Sequence, residues 1–175
     1  MEWRIRVATE ADEVGVQETI REVFDEYGFA WDPDVYHSDL YDLEQHYLSL
    51  GNPFWVAEDA GGIVGTVALE FFEAIPGELG TTAIQEGKVR VAGADCSLER
   101  LYVRIRGRRR GIGSALNQTA IAQARQSSRT AMEVWSDKRF VEAHRLYQGL
   151  GATIVGDRIC DDPDLSPEWG LLLTL

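Results

Sequence analysis

Three consecutive arginines, Arg108, Arg109 and Arg110, stand directly before Gly111 and Gly113 in the run RGRRRGIGSA. A Gly-x-Gly turn at the start of a helix is a place for an anion. The first helical turn leaves backbone N–H groups unpaired, and the macrodipole adds partial positive charge there. Gly111 and Gly113 remove side chains that would keep a phosphate from those donors. Arg108 to Arg110 add screening charge around it, so the segment suits a pyrophosphate. It is neither a P-loop, since no Gly-Lys-Ser/Thr follows, nor a GxGxxG dinucleotide fingerprint. The plain alternative is a solvated basic turn.

The charge around this turn is uneven. Arg100, Arg104, Arg106, Arg108, Arg109 and Arg110 are six of the 17 Lys and Arg residues, and Arg100 to Arg110 contains no acid. The chain nevertheless has a net charge of −12, which leaves 11 basic against 29 acidic residues, or −18, for the remainder. A basic spot on an acidic body can hold a small polyanion, while long-range repulsion discourages duplex nucleic acid. His37, His46 and His144 are scattered, and no metal site is expected. Cys96 and Cys160 are too few for a disulfide framework and fit a reducing compartment. Cys96 reads as a small strand residue. MEWRIRVATE lacks the apolar core of a signal peptide, and no run approaches the ~18 apolar residues of a membrane span. The expectation is a cytoplasmic chain with no membrane partner.

The elements that must position these residues follow from periodicity. With 175 residues, 45 % of them hydrophobic, the chain suits one buried domain over 1–175. Trp3 to Thr9 alternates as a strand. Thr9 and Asp12 resemble a capping box before a helix whose apolar face is Val16, Ile20, Val23, Phe24 and Tyr27, ended by Gly28. Leu40, Leu43 and Tyr47 mark a second helix. Phe54 to Ala57 and Ile63 to Phe72 flank the turn Asp59-Ala60-Gly61-Gly62, a hairpin signal. Glu73 to Gly87 reads as a long connection or flap, and Lys88 to Val103 as strand. A helix follows over Gly111 to Ser128, with Ile112, Leu116, Thr119 or Ala120, and Gln123 on one side. Then come a strand at Thr130 to Trp135, a helix at Arg139 to Leu150 closed by Gly151, and strands near Thr153 to Ile159 and Trp169 to Leu175. The order predicts an α/β (α+β) domain. Its sheet is mixed, mostly antiparallel and twisted, with about six to seven strands, flanked by about four helices, and has a parallel step at strand-helix-strand.

A second motif, AHRLYQGLGA from Ala143 to Ala152, follows the next strand. Together the two segments resemble the GNAT superfamily of acyl-CoA-dependent acyltransferases. Its phosphate loop, Gln/Arg-x-x-Gly-x-Gly/Ala, is matched by Arg108, Gly111 and Gly113. Its later helix, Ala-x-x-Leu-Tyr-x-x-x-Gly-Phe, is matched by Ala143, Leu146, Tyr147 and Gly151. Phe140 stands where Asn is frequent, and Ala152 where Phe is usual. The order of elements agrees over nearly the whole chain.

The resemblance implies an N-acetyltransferase that takes acetyl-CoA and a small-molecule or peptide amine and needs no metal. A homodimer is compatible with it. Backbone groups of Leu101, Tyr102 and Val103 would pair with the pantetheine amides. Arg108, Arg109, Arg110, Gly111, Ile112, Gly113 and Ser114 would hold the pyrophosphate. Tyr147 would protonate the departing thiolate; the plain alternative is a core aromatic. The usual base position falls on Ser97. Glu99, two residues on and so on the same strand face, is one candidate base, and Glu70 its rival; either reads equally as a surface carboxylate. In this family the connection between the first two helices walls the acceptor site. There Trp31, Asp32, Asp34, Tyr36, His37, Asp39 and Tyr41 would hold a cationic amine by charge and aromatic contact, although Asp32, Asp34, Asp39, Asp42 and Glu44 also read as a solvated face. The rival functions are an acyl-CoA-binding module without catalysis, favoured by Ser97, and a nucleic-acid binder using RIRGRRR.

Overall fold

A computed structural model describes residues 2–175. Among them are four α-helices and nine strands, seven of the strands in one mostly antiparallel sheet, the α/β class read from the sequence. None of the helices is long and apolar enough to cross a membrane. Contacts divide the chain into two units. One holds the residues up to Glu70 with Glu99–Ala120, the other Phe71–Leu98 with Ile121–Leu175.

In the first unit, β1 (Trp3–Val7) pairs antiparallel with β2 (Phe54–Asp59), and β2 with β3 (Gly62–Phe71). The β2–β3 hairpin turns through Ala60-Gly61, as its turn residues predict. The far half of β6 (Cys96–Val103) lies beside β3. The helix α1 (Glu13–Tyr27) starts after a tight turn in which the Asp12 carboxylate accepts the Thr9 backbone N–H at 2.8 Å. Its predicted core stripe is largely correct: Val16, Ile20, Val23 and Phe24 are buried. Tyr27 is the exception, exposed and stacked on Phe29.

The second predicted helix shrinks to one turn, α2 (Leu43–His46), flanked by short 3-10 segments. Its apolar residues do their expected work, since Leu40, Leu43 and Tyr47 are buried. The helix α3 (Ile112–Gln126) packs through Ile112, Leu116 and Ala120. It approaches β3 at Gly65, where a Cβ would lie 2.9 Å from Leu116 and 3.1 Å from Ile112. Glycine at that position sets how close α3 comes to the sheet.

In the second unit the strand order is β6, β7 (Ala131–Asp137), β9 (Pro167–Thr174), β8 (Thr153–Ile159). The step from β6 to β7 is parallel, pairing Cys96 with Met132 and Ser97 with Glu133, as strand-helix-strand requires. The expected flap contains structure. Residues Thr82–Gln85 form β4, which pairs with β5 (Lys88–Val91) around Glu86-Gly87, both at positive φ (51° and 78°). Such a turn matches the twist of a hairpin, and Glu at its first central position hides it from a search for Asn-Gly or Asp-Gly. The helix α4 (Val141–Gly149) begins two residues later than expected, because Asp137 accepts the Arg139 backbone N–H at 2.8 Å.

Candidate active site

The basic run is built around pairing rather than free charge. Glu18, Glu22 and Glu26 recur every four residues along α1 and so form one stripe. Arg104 meets Glu18 at 3.5 Å and Glu22 at 3.1 Å. Arg108 makes a two-point contact with Glu26 at 2.8 and 2.5 Å, which holds the Glu26 carboxyl below its ordinary pKa. Asp59, at the end of β2, takes Arg106 on one oxygen (2.7 Å) and Arg110 on the other (2.8 Å). Those two guanidinium groups push its pKa down. Arg100 pairs with Asp39 at 2.7 Å.

Two of the three arginines expected to screen an anion, Arg108 and Arg110, thus already face carboxylates. Arg108 pairs with the Glu26 carboxylate and Arg110 shares Asp59 with Arg106, whereas Arg109 is exposed and has no ion pair among the described residues. An acid-free window in sequence says nothing of the acids folded against it.

The turn itself is open. Arg109 (φ 59°) and Gly111 (φ 79°) both adopt left-handed backbone, and nothing lies within 4 Å of where a Gly111 Cβ would be. The Ala115 N–H reaches the Gly111 carbonyl at 3.0 Å as an opening helical bond. The N–H groups of Ile112, Gly113 and Ser114 have no intrahelical acceptor. Ile112 is 1 % exposed, so its side chain belongs to the core and only its backbone is available. Leu101, Tyr102 and Val103 are half-buried; the Val103 carbonyl already accepts Arg108 Nε at 3.1 Å, and the Tyr102 ring meets Phe24 edge-on.

Within β6, Arg100 has φ 51°, an unusual backbone for a non-glycine residue in a strand. Its carbonyl accepts Thr66 Oγ1 at 2.7 Å. Its guanidinium grips Asp39 through Nε (3.0 Å) and Nη2 (2.7 Å), and Nη2 also donates to the Tyr36 carbonyl at 2.8 Å. Asp39 in turn accepts the Tyr47 hydroxyl at 2.5 Å. Burial raises the pKa of Tyr47 well above the ordinary phenol value, so it remains a donor. This network was not legible from the sequence, since residues 36, 39, 47, 66 and 100 share no local pattern. Of the two candidate bases, Glu99 directly precedes the strained residue and Glu70 lies near the end of β3, both half-buried; Ser97 is 1 % exposed.

Apart from the Tyr36 carbonyl and Asp39, which hold Arg100, the connection between α1 and α2 engages several of its polar groups internally. Asp32 accepts the backbone N–H groups of Asp34 and Val35 (3.1 Å each) and Tyr36 (3.3 Å). His37 is fully buried, stacked on Trp31 at 3.9 Å and edge-on to Phe24 at 4.6 Å. Its Nδ1 lies 3.2 Å from the Asp32 backbone nitrogen, while Nε2 has no hydrogen-bond partner. Burial, with the Arg100 charge second, pulls its pKa down to about 4. Trp31 donates Nε1 to the Tyr41 hydroxyl at 3.2 Å. Of the seven residues expected to meet a cationic acceptor, Asp32 and His37 are engaged within the loop, Asp39 holds Arg100 of β6 and Tyr47, the Tyr36 carbonyl accepts from Arg100, Trp31 and Tyr41 bond each other, and Asp34 is an exposed carboxylate.

In the second unit Tyr147 is 6 % exposed on α4. One turn earlier, His144 Nε2 lies 3.1 Å from Ser136 Oγ, joining the helix to the end of β7. Burial lowers the His144 pKa. No group of three or more His, Cys, Asp or Glu among the described residues is arranged to hold a metal ion.

Comparison with known proteins agrees with this architecture. Residues 18–152 match the Acetyltransferase (GNAT) family. The chain belongs to that family. N-acetyltransferase 8 of Mus musculus is 32 % identical over 126 residues, 71 % of this chain and 49 % of the relative. N-acetylaspartate synthetase of Rattus norvegicus is 31 % identical over 69 % of this chain and 34 % of its own. The chain thus spans half or less of the length of these curated relatives. Among solved structures, a GNAT-family acetyltransferase from Staphylococcus aureus Mu50 superposes with a TM-score of 0.77 at 19 % identity, covering 99 % of both chains. The Salmonella typhimurium protein yncA, solved with its cofactor acetyl-CoA, superposes with a TM-score of 0.72 at 18 % identity, over 99 % of this chain and 94 % of that one.

Proposed function

We propose that this chain transfers the acetyl group of acetyl-CoA to a primary amine. The observation that carries the reading is the open start of α3 behind the Arg109–Gly111 turn, in a chain of the GNAT family. Backbone N–H groups of Ile112, Gly113 and Ser114, with the exposed Arg109 beside them, suit the donor's pyrophosphate. The backbone of Leu101 to Val103 receives the pantetheine arm. The amine must be neutral to attack the thioester carbonyl, and Glu99 or Glu70 takes its proton. The tetrahedral intermediate collapses to amide and thiolate, and Tyr147 supplies the thiolate's proton.

Release of CoA thiol from acetyl-CoA, measured against free amino acids, polyamines, aminoglycosides and peptide N-termini, tests the activity and finds the acceptor. One relative is named N-acetylaspartate synthetase, which puts aspartate early in that screen. With a used acceptor, Tyr147→Phe is expected to lower turnover by roughly 10²–10⁴-fold while acetyl-CoA affinity changes little. Full turnover in that variant makes Tyr147 a packing residue. Buried Ser97 at the usual base position favours a second reading, an acyl-CoA-binding module without catalysis. Acetyl-CoA binding with no thiol release from any amine selects it.

A further inference from the structure

The Asp39–Arg100 pair is the most elaborate polar device in the first unit, and neither partner has a role in the chemistry proposed above. Its peculiarity is where it is anchored. Arg100 sits inside β6 with φ 51°, a conformation that glycine adopts freely and other residues avoid. Such strain persists only where surrounding contacts over-determine it. Here the contacts come from three separate segments. Thr66 on β3 holds the Arg100 carbonyl, the Tyr36 carbonyl and the Asp39 carboxylate hold the guanidinium, and Tyr47 holds Asp39.

A local irregularity of this kind changes the alternation of a strand. Because side chains alternate with a period of two, an irregular residue resets which face each later residue occupies. The conformation of Arg100 therefore decides how Leu101, Tyr102 and Val103 are presented relative to Glu99.

We propose that Asp39 is a positioning residue: through Arg100 it holds β6 in its irregular shape and so aims the backbone of Leu101–Val103. This rests on the reading that the segment receives the acyl donor. The role is one of shape, so a residue content with positive φ makes the tether unnecessary.

Two double variants separate shape from charge, since each removes both partners and leaves no unpaired buried ion. In Asp39→Asn/Arg100→Gly, glycine accepts the backbone conformation without the tether, and turnover per folded molecule is expected to stay within about threefold of wild type. In Asp39→Asn/Arg100→Ala, the conformation is disfavoured, and turnover is expected to fall roughly 10- to 100-fold, as misplacement of about 1 Å does. Equal activity in the two variants would overturn the proposal. So would equal loss, which would mean that a removed side chain, Arg100 or Asp39, itself touches substrate. A crystal structure of the alanine variant tests the tether independently of transfer. Negative φ at residue 100 supports it, and retained positive φ overturns it. Failure of the acetyltransferase reading appears separately, as wild-type protein that neither binds acetyl-CoA nor releases thiol.

Discussion

His37 combines a full aromatic enclosure with an unsatisfied ring nitrogen. If Nδ1 accepts the Asp32 N–H, the proton on Nε2 has no acceptor, and the charged form is worse still in a box of Phe24, Trp31 and Tyr36. The folded pKa of about 4 lies below the unfolded value near 6.5, so between them the unfolded chain binds the proton first. Stability is then full above about pH 6.5 and falls as pH drops toward 4, by at most roughly 3 kcal/mol from this group. Urea midpoints at pH 7 and pH 4.5 should converge in His37→Phe, which keeps a ring in the box. His144, depressed by burial in the same direction, leaves a residual slope. A slope as steep in His37→Phe as in wild type assigns the acid sensitivity elsewhere.

Along α1, the acidic stripe Glu18–Glu22–Glu26 makes the arginine run electrostatically quiet. Exposed pairs of this kind contribute about 0.2–1 kcal/mol each. Replacing all three with Gln should leave a folded protein whose released Arg104 and Arg108 bind heparin at low salt and lose it as salt rises. Wild-type protein should pass a heparin column unretained; equal retention of the two proteins would show that the stripe does not govern this charge.

Elements differed in how well the sequence exposed them. The strand-turn-helix of β6 and α3 and the capping box at Thr9 were legible because their signals are local: alternating apolar residues, glycines in a turn, a carboxylate three residues from its partner. Between α1 and β2 the helical spacing of Leu40, Leu43 and Tyr47 predicts a second helix. Only one turn of it forms, and upstream the Asp32 carboxylate satisfies the backbone N–H groups of Asp34, Val35 and Tyr36 in a tight turn. The pairing of the arginines, and the strain at Arg100, were hidden because each depends on a residue tens of positions away.

For the whole molecule, the proposed donor binding has a consequence for stability. Acetyl-CoA at 100 times its dissociation constant should stabilise the folded state by about 2.7 kcal/mol. For a chain of this size that raises Tm by roughly 5–10 °C. In Gly111→Val the added side chain meets no neighbour at its Cβ, so the burden falls on the φ of 79°. Differential scanning calorimetry should find that variant folded but unresponsive to acetyl-CoA. An undiminished ligand shift would exclude the Gly111 turn as the phosphate seat.

The fork of Arg6 on Asp12 (2.7 Å at both oxygens), also tied to Glu58, fixes more than the start of a helix. An α-helix advances about 100° per residue, so the azimuth of every side chain on α1 is set at its first turn. One residue inserted between Thr9 and Glu13 would swing Glu18, Glu22 and Glu26 away from Arg104 and Arg108 together, with no charge added or removed. A whole-turn insertion would return them to the same bearing, displaced along the axis. The quietness of the arginine run is thus stored as the phase of a helix, and that phase is indexed far upstream of the arginines it silences.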